Sequence, residues 1–258
     1  MFHTIKQGTL EYLTADALTG SIHCFSTRLG GVSEGCLASL NLGTHRGDKP
    51  ENVLENYRIL GTAVGFQPED TVFTKQRHTD IVRCVGRENR GEGLLREQTE
   101  VCDAQITAFT ADCTPILLFD PVRKAIAAIH AGWRGTALGI AAKTVEAMTR
   151  AYGCKPENIR AAIGPCIGQC CFETDEDVPQ AMRSALGSEA EACIKRRGKK
   201  FHVDNKALNR IWLTRAGVRC IDISADCTMC QPERFWSHRV THGERGSLAA
   251  VIRLPAQR

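Results

Sequence analysis

Three side chains able to hold a metal ion sit where short apolar runs end. His78 follows the stretch 71–74 (TVFT) and the polar Lys75-Gln76-Arg77. Cys113 stands in Thr110-Ala111-Asp112-Cys113-Thr114-Pro115, directly before the apolar PILLF of 115–119. His130 closes AIAAIH (125–130) and opens onto Gly132-Trp133-Arg134-Gly135. Imidazole and thiolate are both good zinc ligands, and three of them leave a fourth position for water or substrate, the arrangement of catalytic sites. Strand ends that adjoin in one sheet would let the three converge. The separations of 35 and 17 residues match no compact zinc finger. The same residues therefore also fit a buried thiol with two core or surface histidines.

Other segments carry weaker signals. A strand, then Gly132-x-x-Gly135, then a helix directs backbone N–H groups toward the strand ends, and Arg134 adds positive charge; this is an anion site in one reading and an ordinary tight turn in the other. Gly164-Pro165-Cys166-Ile167-Gly168-Gln169-Cys170-Cys171-Phe172-Glu173 packs cysteines closely, but C-x-x-x-C-C is not a finger spacing, and the zinc deaminase signature is absent. It reads as a Gly-Pro loop beside a site, with Glu173 as a polar contributor. Cys227-x-x-Cys230 lacks the βαβ setting of a redox pair and reads as buried thiols.

The elements that must position these residues follow from hydrophobic period and punctuation. Segments 20–28, 71–74, 81–85, 104–107, 115–119, 125–130, 159–163, 201–203, 218–223, 235–239 and 248–254 read as extended, and 86–101 as an exposed polar loop. A helix over 52–64 begins at Pro50-Glu51, with the acid where the helix dipole favours it, and stops at Gly65. A second runs over 136–152 with Leu138, Ala141, Val145 and Met148 on one stripe and Gly153 at its end. Further helices are expected over 175–186 and 205–216. Strands and helices alternate irregularly, which favours a mixed sheet with helices packed on it.

Composition sets the frame. The chain has 258 residues, 43% hydrophobic and 24% charged, with net charge +4, an ordinary globular balance long enough for a full core. The basic run Lys195-Arg196-Arg197 with Lys199-Lys200 has no interleaved aromatics and reads as a solvated loop, so no nucleic-acid partner is expected. No apolar window approaches the ~18 residues of a membrane span, and no membrane partner is expected. Thirteen cysteines, an odd number, and no leader-like N-terminal run fit a reducing cytoplasm.

Taken together, SLNLG (39–43), TADCTPILL, IHAGWRG, GPCIGQCCFE and FWSHR resemble the laccase-domain family. It is also called polyphenol-oxidase-like; members are described as purine nucleoside phosphorylases, and bacterial members include the peptidoglycan editing factor. The similarity runs from Arg28-x-Gly30-Gly31-Val32-Ser33 to Leu254. The resemblance implies one metalloenzyme domain over residues 1–258, an α/β fold with mixed sheets in an α/β/β/α sandwich, and a likeness to the cysteine deamidase toxin fold. It places the metal ligands, also counted as catalytic residues, on His78, Cys113 and His130. It implies zinc, with copper as the alternative cofactor. The implied substrates are a small-molecule nucleoside (adenosine, inosine, methylthioadenosine) and phosphate, with adenosine deamination as a second activity. Asn41, Gln76, Asp103 and Arg134 stand beside the motif turns as candidate substrate contacts. Two positions depart from the pattern: the family's Gln-Val-His-Gly is Gln76-Arg77-His78-Thr79 here, and its Ser-Tyr-Arg is Ser237-His238-Arg239.

Rival chemistries remain open at this level. Cys113 with His130 as base would make an amide hydrolase acting on peptidoglycan precursors. Multicopper oxidation needs more imidazoles than the eight histidines of the chain readily supply once two are committed to the trio. A purely structural zinc module would need a fourth ligand.

Overall fold

The computed structural model describes residues 1–73, 76–85, 99–102 and 105–255. Two mixed sheets lie at its centre. In the first, the order is β1 (Phe2–Gln7), β2 (Leu10–Ala15), β3 (Ile22–Ser26), β15 (Leu248–Arg253), β7 (Gln105–Thr110) and β4 (Thr71–Phe73). In the second it is β14 (Cys220–Ile223), β10 (Arg160–Ile163), β8 (Thr114–Asp120), β9 (Ala125–Ala131), β6 (Thr99–Cys102) and β5 (Val82–Val85). Most neighbours are antiparallel; β4 with β7, β10 with β14 and β5 with β6 are parallel. A small third sheet joins β11 (Glu173–Thr174), β13 (Lys200–Val203) and β12 (Ile194–Arg197).

Why β8 and β9 show no polar alternation is clear from their place in the stack. Every residue of both strands is buried, because successive side chains point to opposite faces and both faces are covered. Leu117, Phe119, Ile126 and Ala128 pack against Leu13, Phe25, Ile106, Leu248 and Ala250 of the first sheet. The intervening Ile116, Leu118 and Ile129 pack the other way, against Val145 and Met148 of α3 (Ile140–Tyr152) and Leu213 of α5 (Asn205–Arg215). On the far side of the first sheet, Val53, Tyr57 and Leu60 of α1 (Pro50–Val64) meet Cys24, Ala249 and Val251. The layers thus run helix, sheet, sheet, helix. Each fully buried Leu, Ile or Phe in the central layer contributes roughly 1.5–3 kcal/mol.

Helix boundaries obey local chemistry. Pro50 occupies the first turn of α1 with Glu51, and Gly65 ends it in the left-handed conformation at φ 101°. The helix expected over 136–152 begins earlier and is broken: α2 (Trp133–Ala137) is followed by Gly139 at φ 76°, and α3 starts afresh at Ile140. The expected strand at 235–239 does not form. Phe235 and Trp236 are buried in a turn, and Ser237 accepts a hydrogen bond from the Val240 N–H to cap the short α6 (His238–Thr241). The hairpin of β1 and β2 is absent from the expected elements; its outer strand is mostly exposed, so it carries little apolar signal. Of the polar loop expected over 86–101, residues 86–98 lie outside the described residues, and Thr99–Cys102 is strand β6. The helix α4 (Asp177–Leu186) packs on the small sheet. No described helix is long and apolar enough to cross a membrane.

Candidate metal centre

Cys113 and His130 are brought together by the β8–β9 ladder. Thr114 pairs with Ala131 and Pro115 with His130, so Cys113, one residue before β8, lies beside the end of β9. His130 is 8% exposed, and Cys113 is half-buried. His78 arrives from elsewhere: it follows β4, which belongs to the first sheet. The trio therefore spans the two sheets rather than adjoining strand ends of one, which corrects the simplest expectation from sequence.

The three converge closely. The Cys113 sulfur lies 3.7 Å from His78 Nε2. The two imidazole rings meet edge to face with centroids 4.8 Å apart. One ligand atom from each residue lies within 4.8 Å of the others. A tetrahedral zinc with Zn–N near ~2.05 Å and Zn–S near ~2.3 Å sets its N and S ligands about 3.6 Å apart. The donor set and spacing fit such an ion.

Two residues at the site hold backbone conformations that side chains seldom adopt: His78 at φ 57° and Asp112 at φ 83°. Both are held by hydrogen bonds. The Gln76 amide donates to the Phe109 carbonyl and accepts from the Phe109 N–H, each at 2.6 Å, fastening the segment before His78 to β7. The Asp112 carboxylate accepts from Thr228 Oγ1 at 2.6 Å, from Ser237 Oγ at 3.1 Å and from the Arg239 N–H at 2.7 Å. Cys113 thus sits next to a residue tied to the 224–241 region.

Burial and nearby positive charge keep both imidazoles in the neutral form that ligates a metal. Burial, then the neighbouring His78 and Arg245, push the His130 pKa down to about 3. Burial, Arg134 and His238 lower that of His78. Both imidazoles are neutral and ready to coordinate at pH 7. Burial, with Asp112 and Cys166 nearby, pushes the Cys113 thiol up to about 12, so its thiolate needs a cation beside it. Zinc binding should therefore release about one proton per ion at pH 7–8, from Cys113 and not from the histidines. Calorimetry in buffers of differing ionisation enthalpy measures that number; a value near zero would show that Cys113 is not the ligand.

The remaining candidates occupy different places. Arg134 is exposed, with its guanidinium 4.2 Å from the Trp133 ring centroid, and is close enough to act on His78. Asn41 is fully buried; its oxygen accepts from the Gly43 and Ser247 N–H groups, and its amide donates to Asp48 Oδ2. Gln76 is committed to Phe109. Asp103 lies outside the described residues. Sequence reasoning missed two arginines, Arg46 and Arg245. Arg245 is 8% exposed, and its Nε has no hydrogen-bond partner. Burial and the adjacent Arg46 bring its pKa down to about 10, and it interacts with Asp112 and Cys113. Both arginines stand in polar stretches with no motif to mark them. His238 stands near Arg245, Asp112 and Arg46.

The fold is a mixed α/β one, and His78, Cys113 and His130 form a candidate three-ligand metal centre within it. The family model for multi-copper polyphenol oxidoreductase laccase matches residues 22–255, and the chain belongs to that family. It is 36% identical over 245 residues to the purine nucleoside phosphorylase LACC1 of Mus musculus, covering 90% of this chain and 55% of that protein, so the chain spans little more than half the mouse relative's length. It is 40% identical to a purine nucleoside phosphorylase of Deinococcus radiodurans, covering 90% and 89% of the two chains. The crystal structure of YlmD from Geobacillus stearothermophilus superposes with a TM-score of 0.91 at 31% identity, over 98% of this chain and 99% of that one.

Proposed function

We propose that residues 1–258 form a zinc-dependent purine nucleoside phosphorylase acting on adenosine, inosine and methylthioadenosine, with adenosine deamination as a side activity. The carrying observation is the convergence of His78, Cys113 and His130, with a sulfur-to-nitrogen distance of 3.7 Å that suits one tetrahedral ion. The relatives' names support the reaction class. When bound, zinc supplies a Lewis acid at the open side of the trio; copper is the alternative occupant.

The chain's own residues account for the rest. In phosphorolysis a phosphate oxygen bonds to the ribose C1′ as the bond from C1′ to the purine nitrogen breaks, through a transition state of oxocarbenium character. Phosphate must be held and stripped of water. Arg245 and Arg46 suit this role, because two neighbouring guanidiniums, one with an unpartnered buried Nε, are relieved by an anion between them. Arg134 stands at the rim as a further anion contact, and the N–H groups beyond Gly132 assist it. Gln76 acts by holding the segment before His78, and Asn41 by holding the 41–48 loop against Ser247. Asp103 keeps its place as a partner for ribose or base. The layer order supports kinship with the cysteine deamidase toxin fold, and the thiol-rich composition supports a cytoplasmic setting. The substrates are small molecules; neither nucleic acid nor membrane is a partner.

The hydrolase reading, with Cys113 as nucleophile and His130 as base, is weakened by the same pocket. A thiol pushed up to about 12 beside an imidazole pushed down to about 3 opposes proton transfer between them. Multicopper chemistry is weakened by ligand supply: the metal-capable clusters among the described residues contain two histidines between them.

The test is adenosine turnover by zinc-loaded protein with and without phosphate. Adenine and ribose 1-phosphate formed only with phosphate are expected, with a slower phosphate-independent release of inosine and ammonia. Untouched nucleosides in both conditions overturn the reading. Chelator-resistant, alkylation-sensitive amide cleavage would establish the hydrolase in its place.

A further inference from the structure

Away from the trio, two loops distant in sequence bring four thiols to one point. Cys170 and Cys171 lie in the turn after β10, and Cys227 and Cys230 lie in the segment after β14. One sulfur from each lies within 4.8 Å of all the others. The Cys230 sulfur is 3.6 Å from that of Cys170 and 3.3 Å from that of Cys171. These separations exceed the ~2.05 Å of a disulfide. They approach the sulfur-to-sulfur edge of about 3.8 Å that four Zn–S bonds of ~2.3 Å impose on a tetrahedron.

The surrounding backbone is arranged for the same purpose. Cys166 and Cys227 form a parallel bridge, and the Thr228 N–H donates to the Cys166 carbonyl, so the two loops are already in register. The Gly168 N–H donates to the Cys227 sulfur at 3.2 Å, and the Cys230 N–H also bonds to it. Such N–H contacts stabilise a metal-bound thiolate and orient it. A side chain at Gly168 would place its Cβ 3.1 Å from the Cys170 sulfur and 3.2 Å from Cys227 Cβ; glycine is what lets this loop close over the cluster. The turn is fixed by the Cys171 and Phe172 N–H groups, which both bond to the Gly168 carbonyl. Adjacent cysteines in a turn, unlike those in a strand, can face the same way.

We infer that Cys170, Cys171, Cys227 and Cys230 form a second metal site, a closed four-thiolate shell for one divalent, thiophilic ion of the zinc class. Four protein ligands leave no open position, so the ion is structural rather than catalytic. Its place says what it braces. The Ile167 N–H donates to the Asp112 carbonyl at 3.0 Å, and Thr228 Oγ1 donates to the Asp112 carboxylate. Both loops joined by the cluster therefore rest on the residue before Cys113, and the second ion clamps the platform of the first. Cys170-Cys171 alone is no finger motif, and Cys227-x-x-Cys230 alone is half of one; the contact between them completes the set.

Metal content of protein purified under reducing conditions tests this directly, because the two sites can be emptied separately. The wild type should carry two zinc ions per chain. His78→Ala, which leaves all four cysteines intact, should keep one, and its four clustered thiols should resist alkylation until a strong chelator is added. Cobalt loaded into His78→Ala should show the intense charge-transfer absorption of a thiolate-bound ion. Cys230→Ser should also carry one zinc, and Cys230→Ser combined with His78→Ala should carry none. A wild type with one ion that disappears in His78→Ala overturns the inference. So does an unchanged count in Cys230→Ser, or a disulfide linking the two loops in metal-free isolated protein. Should Cys230→Ser fail to fold, the His78→Ala count and alkylation pattern still decide. Phosphorolysis depends on the other site, so failure of either reading is visible without the other.

Discussion

Cys113→Ala should strip the ion from the trio and reduce phosphate-dependent adenine release by well over ~100-fold, the upper range for losing an outer contact of a metal ligand. Cys113 supplies the only sulfur of the trio, and its thiolate is the charge that offsets the cation between two neutral imidazoles. Without it, only the imidazoles of His78 and His130 remain, and two ligands rarely hold zinc. The fold should survive, because Cys113 is only half-buried and the β8–β9 ladder beside it is unchanged. Separating the readouts matters: metal content and turnover should collapse, while thermal unfolding of the metal-free variant matches that of metal-free wild type. Cys113→Ser should behave similarly, since a neutral hydroxyl is a poor replacement for thiolate. Turnover within about twofold of wild type in either variant, with the ion at the trio gone, would remove the metal from the mechanism. Loss of turnover with the metal retained would instead favour Cys113 as a nucleophile.

The trio is legible in the sequence because each member lies near the end of a short apolar run or a turn and because the surrounding motifs resemble one family throughout their order. What the sequence does not disclose is which sheet each strand joins. β4 is three residues long, and nothing in its local pattern says that it pairs with β7 rather than with β8. The same limit hides the second cysteine cluster: residues 59 or 60 apart meet only because β10 and β14 pair in parallel. Each half, read alone, is indistinguishable from a set of buried thiols. β8, β9 and α3 are readily found, since a fully buried strand and a one-sided helix carry strong periodic signals. Phe235-Trp236 misleads for the opposite reason. A short apolar run is equally consistent with a strand or with a buried turn, and here Ser237 caps a helix immediately after it. Arg46 and Arg245 are isolated charges in polar sequence, and their value arises from the burial of Arg245 beside Arg46, a tertiary property.

Gly132→Ala should weaken zinc binding at the trio by roughly 10–100-fold, as loss of ligand orientation does elsewhere, without removing any ligand. Gly132 has φ −69° and ψ 168°, a conformation any residue adopts, so the substitution strains no backbone. Its effect falls on the ligands. The added Cβ would lie 2.7 Å from His78 Cδ2 and 3.4 Å from the Cys113 sulfur. Carbon atoms pack favourably at ~3.5–4.0 Å, so the His78 ring must retreat by about an ångström. It has little freedom to do so in place: its backbone is held in the left-handed region, and Gln76 fastens the preceding segment to Phe109. The ring will therefore rotate away from the shared point, and its nitrogen will leave the ~2.0–2.1 Å shell that zinc requires. Competition with a calibrated chelator measures the affinity. Turnover should be low at limiting zinc and recover substantially in excess zinc, a rescue that Cys113→Ala should not show. Unaltered affinity in Gly132→Ala would mean that His78 does not sit against this turn when the metal is bound, and that the fixed position assigned to the third ligand is wrong.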